Sequence, residues 1–196
     1  MSSCTVSTPP SYFWPDGAPR GADALDATTL HLHQSEDRRA DEARLKRGQL
    51  TTWPAISEFL FAGAATFTLV SLITGRRFTY KAQVKKTDVK AGLADCAYFV
   101  SLLRGPDNTA DYAYLGVLRR PGRFFTTAKS RVKEHAASHA ALLWFLEAMK
   151  ADRQDVLGKQ LEFWHTGRCC YCARLLTVPE SVERGIGPEC AKRRPS

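Results

Sequence analysis

The sequence lacks the short signatures of several common enzyme classes. Neither G-x-G-x-x-G nor G-x-x-x-x-G-K occurs, so a glycine loop of the dinucleotide- or phosphate-cradling kind is excluded. Residue order singles out no Ser/His/Asp or paired-carboxylate arrangement, and no internal repeat is visible. Long hydrophobic runs are also missing. The longest uncharged stretch, Phe59 to Gly75, is interrupted by Thr66, Thr68, Ser71 and Thr74 and is short for a membrane span. Met1-Ser2-Ser3-Cys4-Thr5 is polar with no apolar core, so no secretory signal is expected there. These absences lead us to expect a soluble, cytoplasmic protein. In that compartment six cysteines point to a metal or to free thiols rather than to disulfides.

What is present is a chain of 196 residues, long enough for one domain or two small ones. Apolar residues make up 44% and charged residues 24%, which excludes wholesale disorder. Lys and Arg number 28 against 20 Asp and Glu, for a net charge of +8 that favours polyanionic partners. The charge is unevenly spread. Residues 1–50 carry −1 and residues 151–196 carry +2, whereas residues 64–133 alone hold thirteen basic and four acidic side chains. The excess therefore belongs to one region rather than to a tail.

Along the chain, residues 1–29 read as a poorly ordered arm rich in Pro, Ser, Thr and Gly, with Tyr12, Phe13 and Trp14 embedded in it. Residues 35–48 have mixed charge and high helix propensity but too few apolar residues for a buried face, the pattern of a solvated helix ending at Gly48. Trp53-Pro54 leads into a short helix that stops at Gly63. The apolar period then changes from 3.6 to 2. Strands are expected at about Ala65–Ile73, Arg77–Lys85, Ala97–Leu103, Asp111–Leu118 and Arg123–Ala128, separated by Thr74-Gly75, Gly105-Pro106-Asp107-Asn108 and Arg119-Arg120-Pro121-Gly122. In the clearest of them Phe78, Tyr80, Ala82 and Val84 alternate with Arg77, Thr79, Lys81, Gln83 and Lys85. Short connections favour an antiparallel meander. Its cover is expected from Ser138 to Lys150, where Leu142, Phe145, Leu146 and Met149 recur at helical spacing.

Four of the six cysteines fall near the C-terminal end. Cys169 and Cys172 form a C-x-x-C whose two intervening residues can wrap a tight knuckle around one tetrahedral Zn²⁺. Cys190 follows Gly185-Ile186-Gly187-Pro188-Glu189, a glycine-built turn able to aim its sulfur back at the first knuckle. Thr177-Val178-Pro179-Glu180 has capping-box spacing and should open a helical turn that ends at Gly185. His165 and Cys170 compete for the fourth ligand position, with His165 preferred because adjacent cysteines rarely both reach one metal without strain. Cys4 and Cys96 read as incidental. Few large apolar side chains surround this cluster, so one structural Zn²⁺ would stabilise it.

Several stretches resemble a zinc-binding module of uncharacterised proteins from bacteriophages and mobile elements, also found appended to helicase-like proteins. They are Trp164 to Cys169, Cys172-Ala173-Arg174-Leu175-Leu176-Thr177 and Gly185-Ile186-Gly187-Pro188-Glu189-Cys190. The sheet stretches Ala64 to Thr68, Thr74 to Tyr80, Gly105 to Asn108 and Tyr112 to Gly116 are similar to the region that accompanies the module in phage proteins, so the likeness spans roughly residues 52–194. Ala173 departs from it, since glycine is usual there. If that position needs positive φ, alanine costs on the order of 1 kcal/mol. The resemblance implies an architecture and a phage-like source rather than an activity.

The expected fold class is thus α+β: an antiparallel β-meander packed by one amphipathic helix, followed by a small C-terminal zinc-knuckle module. The expected divisions are a flexible arm over 1–50, a basic sheet-plus-helix domain over 51–157 and a zinc-binding module over 158–196. The leading functional expectation is a non-enzymatic, zinc-containing nucleic-acid-binding accessory protein of bacteriophage type, electrostatic and weakly sequence-selective. Its metal ligands would be Cys169, Cys172, Cys190 and His165. Its phosphate contacts would be Arg77, Lys81, Lys85, Arg119, Arg120 and Arg123. Phe78, Tyr80 and Tyr112 are assigned to the core face more readily than to base stacking. The alternative is a protein–protein interaction module that inhibits or redirects a host protein. No membrane partner is expected.

Overall fold

The computed structural model describes residues 48–84 and 96–193. The expected N-terminal arm, all but Gly48 of the solvated helix, and Lys85 lie outside the described residues. A single seven-stranded sheet organises the described part. Its strands are β1 (Gln49–Leu50), β2 (Ala64–Ser71), β3 (Arg77–Val84), β4 (Tyr98–Leu103), β5 (Tyr112–Arg119), β6 (Arg123–Phe125) and β7 (Leu161–His165). They lie in the order β1-β7-β2-β3-β4-β5-β6, and every pairing is antiparallel. Strands β2 to β6 are the expected meander. The fold is α+β, with a cysteine cluster following the last strand.

Alternation decides which side of the sheet is buried. Ala65, Phe67 and Leu69 of β2, Tyr80 and Ala82 of β3, and Tyr98, Val100 and Leu102 of β4 are buried, and their neighbours in sequence are not. Two helices cover this side, α1 (Trp53–Leu60) and α2 (Ala137–Lys150). Phe145 of α2 lies 6.0 Å from Phe67, 5.6 Å from Phe163 and 5.9 Å from Trp53 of α1, ring centre to ring centre. Phe163 stacks on Phe67 at 4.9 Å, and the Tyr80 hydroxyl donates to the Ser138 carbonyl at 2.6 Å. Fully burying one such side chain contributes roughly 1.5–3 kcal/mol, so this cluster dominates the energetics of the fold. The sequence accounted for α2 as the cover; α1 shares that role.

Strand β7 had no expected partner. It inserts between β1 and β2, with Phe67 opposite His165 and Leu69 opposite Phe163. The sheet thus includes one strand, next to the edge strand β1, from the segment expected as the zinc-binding module. The register also shifts between Val100 and Ser101, so that Val100 pairs with Gly116 and Ser101 with Tyr114. Leu115 is the extra residue of this bulge, and both Leu115 and Leu118 are buried. Tyr112 and Tyr114 accordingly point to the face opposite the helices. The expected placement of Tyr112 in the core is corrected; Tyr80 does lie there, and Phe78 packs against it from a half-buried position.

Among the described residues, no helix is long and apolar enough to cross a membrane.

Candidate metal centre

After β7 the chain turns at Gly167 and folds into a narrow loop. Arg168 and Leu175 form an isolated antiparallel bridge, the Cys169 N–H donates to the Arg174 carbonyl at 2.8 Å, and the Ala173 N–H donates to the Cys169 carbonyl at 2.9 Å. The loop closes through Ala173 at φ +61°, a left-handed conformation. This is the position where the resemblance has glycine, so the strain anticipated for alanine is present. Leu175 and Val178 are exposed on the following segment.

Two short helices complete the module, α3 (Pro179–Arg184) and α4 (Pro188–Lys192). Val178, not Thr177, stands at the N-terminal cap of α3, and no side-chain oxygen caps it. Pro179 occupies the first turn, where its missing N–H costs nothing and its fixed φ suits the helix, and this displaces the expected capping box. Gly185 ends α3 in the left-handed region at φ +68°, as the sequence suggested. The Gly185 carbonyl accepts from the Cys170 N–H at 2.9 Å, and the Cys170 carbonyl accepts from the Ala64 N–H at 2.7 Å. These bonds tie the module to β2.

The result is that the sulfurs of Cys169, Cys172 and Cys190 all lie within 4.8 Å of one another. Cys169 is buried, Cys190 is half-buried and Cys172 is exposed, so the cluster opens to solvent on one side. The Gly187 N–H points at the Cys169 sulfur, 3.5 Å away. Burial pushes the Cys169 thiol up. The backbone N–H groups of Gly187, Cys172 and Tyr171, with the Cys172 side chain, pull harder in the other direction, so its pKa lies below that of an ordinary thiol. Cys190 is pushed up by burial and by the nearby sulfurs of Cys172 and Cys169. Three sulfurs this close cannot all ionise without a cation between them, which is the arrangement expected where thiolates could hold a metal ion.

The two rivals for a fourth ligand position are both placed elsewhere. His165 is 7% exposed, with its ring 5.3 Å from that of Phe59. Its Nε2 donates to the Val182 carbonyl at 2.5 Å, and its Nδ1 accepts from the Gly167 N–H at 3.0 Å. Both nitrogens are consumed by backbone groups, so the expectation that His165 is a ligand is corrected. Its role is to pin α3 against the sheet. Cys170 is 3% exposed and belongs to the hydrophobic core, with its thiol pushed up to about 12, chiefly by burial and then by the charge of Cys169. Among the described residues, no fourth His, Cys, Asp or Glu side chain joins the three cysteines.

The basic residues divide between the two sides of the sheet. Arg77, Lys81, Arg119 and Arg123 lie on the side without helices, with Arg119 and Arg123 directly opposite each other on β5 and β6. The Lys81 ammonium sits over the Tyr112 ring, 3.7 Å from its centre. Its pKa is lowered by partial burial and then by the charge of Arg168, whose guanidinium donates to the Ala173 carbonyl at 3.1 Å within the cysteine loop. Arg120 is different. It donates to the Phe61 carbonyl at 3.3 Å and lies 4.9 Å over the Phe61 ring, on the helix side, so it does not join the others. The ion pairs Lys150–Glu147, Arg153–Asp155 and Lys192–Glu189 involve none of Arg77, Lys81 and Arg123. Sequence reasoning notes aromatics among these cations but places Tyr112 in the core; the structure sets Tyr112 and Tyr114 on the same face as the cations, with Phe99 and Phe125. The bulge at Leu115 hides this placement.

Residues 160–195 match a family of unknown function, DUF6011. No curated protein and no solved structure matches the chain.

Proposed function

We propose that the chain is a non-enzymatic, zinc-containing nucleic-acid-binding accessory protein whose contact surface is the basic, helix-free side of its sheet. The observation that carries this reading is the Lys81 ammonium. It is partly withdrawn from water and seated on Tyr112, with none of the ion pairs of the described residues reaching it. A cation held in place on a ring and joined by none of those carboxylates makes a favourable seat for a phosphate. Arg77, Arg119 and Arg123 extend the same face. The binding would be electrostatic and weakly selective for sequence, because such contacts position a backbone rather than read bases.

The donor set fits zinc. Sulfurs around a tetrahedral Zn²⁺ at about 2.3 Å lie roughly 3.8 Å from one another, within the spacing observed here. When bound, the ion would hold Cys169, Cys172 and Cys190 together as thiolates and so join the C-x-x-C loop to α4. The chain's own groups do the rest: Gly187 donates to the Cys169 sulfur, and the Cys170 backbone anchors the loop to β2 and Gly185. A thiolate-rich site held by backbone donors is characteristic of a structural ion rather than a hydrolytic one. The bacteriophage setting and a cytoplasmic location complete this reading.

An electrophoretic shift panel of DNA and RNA forms across salt, with metal stoichiometry on the same sample, tests it. Binding should weaken steeply with salt, and changing Arg77, Lys81, Arg119 and Arg123 to Gln together should abolish it. Absence of any shift at low salt would reject the nucleic-acid reading and leave the protein-partner alternative.

A further inference from the structure

The helix-free side of the sheet carries aromatic rings whose placement the basic residues alone do not explain. Phe125 of β6 is 50% exposed, an unusual position for a phenylalanine on a strand. Its register partner is Val117, and Arg123 lies two residues before it on the same face. Tyr114 lies on β5, next to the edge strand β6 and opposite Ser101, with its ring 6.5 Å from that of Phe99. Tyr112 stands two residues earlier on the same face and bears the Lys81 ammonium. From β6 to β3 is three strand spacings, roughly 14 Å. Across that width the side chains run from Arg119, Arg123 and Phe125, through Tyr114, to Tyr112 and Lys81. Cations therefore stand at both ends, and the exposed ring of Phe125 and the half-buried rings of Tyr114 and Tyr112 stand between them.

This order has a definite chemical meaning. A duplex hides the faces of its bases in its own stack, so rings between the cations would contribute little to holding it. A single strand has unstacked bases and a flexible backbone. Its phosphates can reach cations at the two ends while its bases lie on the rings between them. Burying Phe125 and Tyr114 under bases also removes apolar surface that water now covers. Charge complementarity sets the polarity of the partner, and the rings set its form.

We propose that the helix-free face is a platform for single-stranded nucleic acid, with Phe125 and Tyr114 as base-stacking residues and Lys81 and the Arg119–Arg123 pair as phosphate seats. This rests on the nucleic-acid reading above and names the form that reading takes. Ring stacking and phosphate contacts read little sequence, so preference among bases is small and preference for unpaired strands is large.

Fluorescence anisotropy on the full chain with metal bound tests the proposal. The probes are a 20-nucleotide oligothymidylate, the matching oligouridylate, and a DNA hairpin duplex of the same charge. The single strands should bind at least 10-fold more tightly than the hairpin. Phe125→Ala and Tyr114→Leu should each weaken single-strand binding by roughly 10-fold, the size of one lost base stack, with the salt slope unchanged. Phe125→Trp should restore it, which separates stacking from a fold defect. Equal affinity for hairpin and single strand, with Phe125→Ala and Tyr114→Leu binding like the wild type, would overturn the platform while leaving nucleic-acid binding in place. No binding to any of the three probes at low salt would remove both.

Discussion

Gly185 and Phe59 are in contact closer than any other residue would permit. A Cβ at Gly185 would lie 2.5 Å from Phe59 Cδ2 and 2.7 Å from its Cε2, and the backbone there is left-handed at φ +68°. The residue that ends α3 is thus also the point at which the cysteine module meets α1. Replacing Gly185 by Ala combines left-handed strain of about 1 kcal/mol with overpacking of roughly 1–3 kcal/mol. The expected outcome is a loss of about 2–4 kcal/mol in urea unfolding and a lowered metal occupancy, since Cys190 follows on the same turn.

Ala173 is the opposite case. It holds φ +61° with a side chain that disfavours it. Ala173→Gly should raise stability by roughly 0.5–1 kcal/mol, because the relief of strain outweighs the extra freedom of the unfolded chain. Thermal melts of the metal-bound protein should show the gain. Melts no higher than the wild type would mean that the loop stores no such strain.

Metal removal should separate the four neighbouring cysteines. Cys169→Ser, Cys172→Ser and Cys190→Ser are expected to lose metal, and chelation should expose the backbone of residues 166–193 to rapid hydrogen exchange. Cys170→Ala should keep full stoichiometry, because its sulfur belongs to the core, and should cost about 1 kcal/mol of stability. Loss of metal from Cys170→Ala, measured by elemental analysis, would contradict this assignment.

His165 makes a pH-dependent contribution. Burial holds its pKa below the usual histidine value, an effect that the bond to the Val182 carbonyl only partly offsets. The unfolded chain therefore takes up a proton first as pH falls. The stability due to neutral His165 is fully present above about pH 6.5 and is lost as pH drops from there toward its folded pKa. In urea midpoints measured between pH 7.5 and 5.5, His165→Gln should show a shallower decline than the wild type. It should also retain its metal, as befits a residue that is not a ligand.

Arg120 and Arg123 are three residues apart and should behave differently. Arg123→Gln should weaken nucleic-acid binding and reduce the salt slope by about 1. Arg120→Gln should leave both nearly unchanged and lower the melting temperature slightly, because its guanidinium serves the Phe61 carbonyl and ring.

How far the sequence foretells this structure depends on whether the signal is local. The β3 alternation and the Leu142-Phe145-Leu146-Met149 spacing each report one element's own period, and both elements form within a residue or two of the expected bounds. The convergence of Cys169, Cys172 and Cys190 was legible because two tight turns dictate it. Three things were not. The partner of β7 depends on a pairing about a hundred residues away, and no local pattern encodes that. The side on which Tyr112 lies is reversed by one extra residue at Leu115, since a strict period of two carried forward to the buried Leu118 puts Tyr112 in the core. The role of His165 is set by two backbone groups, the Val182 carbonyl and the Gly167 N–H, to which residue spacing is blind.

The placement of β7 also bears on how the chain is made. While the ribosome has delivered only residues up to about 160, β2 has β3 on one side and a bare row of N–H and C=O groups on the other. That open edge, with Phe67 and Leu69 beside it, persists through synthesis of nearly a hundred further residues before Leu161–His165 emerges to close it. A nascent or prematurely terminated chain is therefore a substrate for chaperones and for strand-on-strand aggregation. The segment from β7 through the cysteine module, translated after the other strands, completes the sheet as well as its own metal site.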